Sequence, residues 1–117
     1  MKSENAIRDK SYAFASRFVK LYKYLCEEKK EYVLSKQLLR SGTSIGANIA
    51  ESQYGQTKSD FASKLSIAQK EAGESEFWLR LLGDEEYISK TQAESMLADC
   101  RELIRLLQSI TKTLYQK

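Results

Sequence analysis

The chain has no proline and only five glycines in 117 residues, and its apolar residues recur at three- and four-residue intervals over long stretches. Proline-free segments with that period are built for long helices, and a sandwich or barrel of short strands would need far more turn residues. In the first segment Ile7, Phe14, Phe18, Leu21 and Leu25 share one helical face, which predicts helix 1 over about residues 4–29. The charged run Glu27-Glu28-Lys29-Lys30-Glu31 closes that stripe, and Leu34, Leu38, Ile45 and Ile49 open a second one, predicting helix 2 over about 34–54.

Gly55 stands where a helix often ends, and Thr57 with Asp60 three residues later forms a helix start. Helix 3 is predicted over about 57–82, with Phe61, Leu65, Ala68, Ala72, Leu79 and Leu82 toward the core. Gly83-Asp84 closes it. Ser89-Lys90-Thr91-Gln92 has the form of a capping box, which starts helix 4, about 89–115, with Ala93, Leu97, Cys100, Ile104, Leu107, Thr111 and Leu114 inward. Short connections make successive helices antiparallel neighbours, so the expected fold is all-α, an antiparallel up-and-down four-helix bundle comprising residues 1–117 as a single domain. An apolar fraction of 42% supplies its core.

Chemistry is narrowed by what is missing. The chain has no histidine, which removes the usual general base near neutral pH and the usual metal ligand. Cys26 and Cys100 lie far apart with no C-x-x-C spacing, so they are expected to be buried thiols in a reducing compartment. The polar start Met1-Lys2-Ser3-Glu4-Asn5 and the lack of an apolar run of about 18 residues point away from export and membranes. A non-enzymatic cytoplasmic protein without cofactors is the expectation.

Three sets of side chains stand out on the predicted helices. Ile67, Phe77, Trp78 and Leu81 spread around the flank of helix 3 beyond its core stripe, and a helix apolar over more than half its circumference has to be covered on two sides, as in a homo-oligomer. Arg40, Ser44, Asn48 and Glu51 of helix 2 can meet Glu71, Glu74 and Ser75 of helix 3. Without Glu-x-x-His pairs these acids do not make a di-metal site, and a buried polar network or an Arg40 to glutamate contact across a subunit boundary is expected. Gly42, Gly46 and Ala50 let another helix approach closely; no P-loop lysine follows them.

Charge is unevenly spread: net +5 in residues 1–40, −4 in 41–88 and +2 in 89–117. Arg17, Lys20 and Lys23 on helix 1, with Arg101, Arg105 and Lys112 on helix 4, are expected to merge into one basic surface suited to RNA or DNA phosphates. An ordinary solvated face is the alternative.

The segment 34–51, LSKQLLRSGTSIGANIAE, and the stretch Asp60-Phe61 followed by residues 64–79, KLSIAQKEAGESEFWL, resemble the signatures of the small bundle proteins encoded in intervening sequences of bacterial 23S ribosomal RNA genes. The accessory variability determinants of diversity-generating retroelements are relatives of that family. The resemblance implies a four-helix bundle, a ring of five subunits, and a nucleic-acid-binding role without catalysis. Its retroelement branch adds a reverse transcriptase as partner, so a protein-binding scaffold stands beside RNA binding as the second reading. Asn48, Glu51, Glu71 and Glu74 match motif positions of the family and carry over as structural residues.

Overall fold

The computed structural model describes residues 2–115, with side chains from residue 5 onward. Four helices follow one another: α1 (Lys2–Glu27), α2 (Leu34–Ser52), α3 (Lys58–Asp84) and α4 (Lys90–Tyr115). Each packs against its sequence neighbours, and α1 closes the bundle against α4, giving an up-and-down bundle of 47 × 21 × 19 Å. The α1–α4 seam is much the thinnest of the four.

Helix ends show which local signals hold. Thr57 Oγ1 accepts the Asp60 N–H at 3.0 Å, and Ser89 and Gln92 exchange bonds of 2.8 and 3.1 Å in a capping box, both as expected. Gly55 and Gly83 do not terminate helices through a left-handed backbone; no glycine has a positive φ, and Gly83 lies within α3. Lys30 (φ 54°) and Glu86 (φ 66°) take that conformation instead. Behind them the Glu31 N–H reaches Leu25 O and the Tyr87 N–H reaches Leu82 O, each at 3.0 Å.

The N-terminus of α2 is capped by a residue outside the helix. The Glu31 carboxylate accepts the N–H groups of Val33, Leu34 and Ser35 at 3.0, 2.9 and 2.7 Å. Burial alone would raise the Glu31 carboxyl, but these three donors outweigh it and hold it below the ordinary carboxylate range.

The core runs the length of the bundle through Ile7, Phe14, Phe18, Leu25, Leu38, Ile45, Ile49, Leu65, Leu79, Leu82, Leu103 and Leu107. Phe14 and Phe18 meet edge to face at 4.4 Å. Phe61, Leu21, Leu34, Ile104, Thr111 and Leu114 are only half-buried, because they sit near helix ends or on the seams, and Ala62, Met96 and Leu103 take core places instead. Gly42 packs under the Phe18 ring and Gly46 beside the Ser11 carbonyl, so α1 is the helix that approaches α2 closely. Ala50 is exposed and has no part in that contact. Cys100 is buried but Cys26 is only half-buried. Among the described residues no helix is long and apolar enough to cross a membrane.

Candidate functional surfaces

The polar residues of α2 and α3 separate into a four-residue cluster around Arg40 and a pair at Glu51. Arg40 bridges Glu71, at 3.2 and 3.4 Å, and Glu74, while the Trp78 indole N–H donates to Glu74 Oε2 at 3.1 Å. That bond, together with Arg40, holds the Glu74 carboxyl below its ordinary range. The contact is made within one chain, with the Arg40 side chain 49% exposed, so it is a surface cluster rather than the buried network expected. Glu51 instead takes Lys64 at 3.0 Å, and Asn48 bonds back to Ser44 O on its own helix. The spacing did not separate them because residues 40 and 51 are three helical turns apart and reach different turns of α3.

Beneath this cluster, Ser75 Oγ donates to Ser41 Oγ at 3.0 Å in the core. Ser75 thus meets α2, as its place beside Glu71 and Glu74 predicts, but through Ser41 in the core rather than through the polar stripe. Among the described residues no group of three or more His, Cys, Asp or Glu side chains is placed to hold a metal. Burial pushes the Cys100 thiol up to about 12, which leaves it protonated and unreactive at neutral pH.

The outer face of α3 carries Ile67 and Phe77, which are 39% and 58% exposed, with Trp78 and Leu81 half-buried beside them and Trp78 packed against the core. Phe77 meets Trp78 edge to face at 5.1 Å. The structure therefore places the four residues on one arc of α3, where this chain leaves Ile67 and Phe77 exposed and covers Trp78 and Leu81 in part.

The six candidate cations do not merge. Arg17 pairs with Asp99 at 2.5 Å and with Ser95, and Lys10 pairs with Glu102 at 3.3 Å, so acids of α4 line the α1–α4 seam. Arg101 points the other way and binds Glu76 of α3 at 2.8 Å. Positions 99 and 101 are about 200° apart around a helix, so the stripe of Arg101, Arg105 and Lys112 lies on the α3 side of α4, away from α1. Lys20, Lys23, Arg105 and Lys112 are exposed and join no ion pair among the described residues.

Residues 3–109 match the family model of the 23S rRNA-intervening sequence protein. A solved structure from Bacteroides thetaiotaomicron VPI-5482, described as a protein of unknown function from the S23 ribosomal protein family, is 55% identical over 94% of this chain and 98% of that chain, with a TM-score of 0.93. No curated protein matches the chain.

Proposed function

Because the chain belongs to the 23S rRNA-intervening sequence protein family, we propose that it is a non-enzymatic bundle that assembles with copies of itself through the outer face of α3 and binds RNA with its unpaired cations. One observation supports the assembly: Phe77, 58% exposed, meets half-buried Trp78 edge to face on the arc of α3 that also carries Leu81 and Ile67. Exposed aromatic clusters of this kind mark interfaces, and cyclic closure is the common solution for a single-chain species. Five copies is the number that the family resemblance implies, and the bacterial cytoplasm is the compartment that goes with it.

RNA binding rests on Lys20 and Lys23 of α1 and Arg105 and Lys112 of α4, whose charges no neighbour neutralises among the described residues. A net charge of +3 per chain is modest, but symmetry repeats it, and phosphate contacts are additive in their salt dependence. Catalysis has little to work with: there is no histidine, and Glu51, Glu71 and Glu74 are engaged by Lys64, Arg40 and Trp78.

Light scattering at micromolar concentration is expected to give about five times the 13.4 kDa chain mass. Affinity for structured RNA is expected to fall with log salt by about 0.7 to 0.9 per phosphate contact. A monomer overturns the assembly, and absence of RNA binding at low salt overturns the RNA reading. In that event the second reading, a protein-binding scaffold such as an accessory subunit of a reverse transcriptase, takes its place. The acids that take up Arg17 and Arg101 support it.

A further inference from the structure

We propose that the groove between α3 and α4 holds a single-stranded stretch of RNA, with one base stacked on Tyr115 and phosphates on Arg105 and Lys112. The proposal rests on the RNA reading above and specifies where on the molecule that reading is carried out.

Ser66, Gln69, Gln108, Thr111, Lys112 and Tyr115 line the groove. Its polar groups are the Gln69 and Gln108 amides, the Ser66 and Thr111 hydroxyls and the Lys112 ammonium, groups that meet base edges and phosphates. Tyr115 lines it as well, 67% exposed, which makes its ring available as a stacking platform. Arg105, Gln108 and Lys112 follow at i, i+3 and i+7 on one stripe of α4, so Arg105 continues the row of polar groups one turn beyond the residues that line the groove.

Gly73 supplies an independent observation. Gln69 accepts a bond from Thr111 at 3.4 Å and Glu76 accepts one from Arg101 at 2.8 Å, both donors on α4. Gly73, at i+4 from Gln69, therefore lies on the same edge of α3 between them. It is exposed, and a Cβ built on it would meet nothing within 4 Å. Glycine inside a helix is unfavourable, and nothing in this chain uses the space it leaves. A strand of RNA laid along the groove would pass close to that bare backbone.

Two helices packed about 8–10 Å apart make a seam too narrow for a duplex to enter, and a base must be unstacked to lie on Tyr115. Single strands are therefore the preferred ligand.

The test is fluorescence anisotropy with two labelled probes: an oligoadenylate of about 12 nucleotides, within the range of single-strand site sizes, and an RNA duplex of equal length. Tyr115→Ala is expected to weaken the single strand at least about fivefold and leave the duplex unchanged, with Tyr115→Phe restoring wild-type affinity. Gly73→Gln is expected to weaken single-strand binding by obstruction. The pair Arg105→Glu and Lys112→Glu is expected to lower the salt slope by about 1.4. All of these positions are exposed, and circular dichroism confirms that the variants fold.

Wild-type binding that survives Tyr115→Ala and Gly73→Gln but is lost in the pair Lys20→Glu and Lys23→Glu overturns the groove and leaves the RNA reading standing on α1. Failure of the wild type to bind either probe at low salt overturns both.

Discussion

Gly42 of α2 lies directly beneath the ring of Phe18 of α1: a Cβ on Gly42 would fall within 2.6 Å of three carbons of that ring. Phe18 is fully buried, so its ring has nowhere to retreat. Gly42→Ala is expected to destabilise the fold by about 1–3 kcal/mol through overpacking, despite alanine's better helix propensity. Gly73→Ala, with open space around it, is expected to stabilise by up to about 1 kcal/mol. Urea unfolding at matched protein concentration measures both. Equal shifts of the same sign would show that the Phe18 contact does not set the packing.

Lys30 and Glu86 hold left-handed backbones at the ends of α1 and α3. Side-chain-bearing residues there cost about 1–2 kcal/mol relative to their usual conformations, offset in part by the greater chain entropy of glycine. Lys30→Gly and Glu86→Gly are each expected to raise the unfolding free energy by about 0.5–1 kcal/mol, read by the same denaturant titration. Loss of stability in either variant would mean that the side chain contributes more than its backbone costs.

The carboxylate of Glu31, capping α2, has a lowered folded-state pKa. A carboxyl depressed on folding adds stability at pH values above its unfolded pKa, and that stability drains away as pH falls through the folded value. The wild type is therefore expected to lose stability below about pH 4.5, and Glu31→Gln to be less stable at neutral pH with a flatter acid limb. Thermal melts across that window check it; parallel curves would remove Glu31 from the acid transition.

Phe77 is more than half exposed in the single chain, so a charge there leaves the bundle folded and burdens only a contact that covers it. Phe77→Asp is expected to convert the oligomer to monomer by light scattering with helix content unchanged. Replacing Trp78 is the less clean probe, because its indole also bonds Glu74. An unchanged mass in Phe77→Asp would move the interface elsewhere.

Four helices, their order and two of their caps were legible in the sequence, because periodicity and the Thr57 and Ser89–Gln92 caps are local and depend on neighbours within one turn. The apolar face of α3 was legible for the same reason: Ile67, Phe77, Trp78 and Leu81 share an arc whatever α3 packs against. The cap of α2 by Glu31 and the left-handed Lys30 and Glu86 escaped notice, since chain direction after a helix is set by where the next helix must dock.

Which charges meet was decided only in three dimensions. Periodicity places Arg101 and Arg105 on one stripe of α4, but the rotation of α4 about its own axis determines which neighbour that stripe faces. That rotation is fixed by burying Met96, Cys100, Leu103 and Leu107. It turns Arg101 toward Glu76 of α3 and presents Asp99 to Arg17 of α1, so the two basic rows part. Local periodicity thus suffices for the helices and for what each one carries. Which faces look at each other is set by packing in three dimensions, because core burial is worth far more than surface ion pairs and the charges follow where the core turns them.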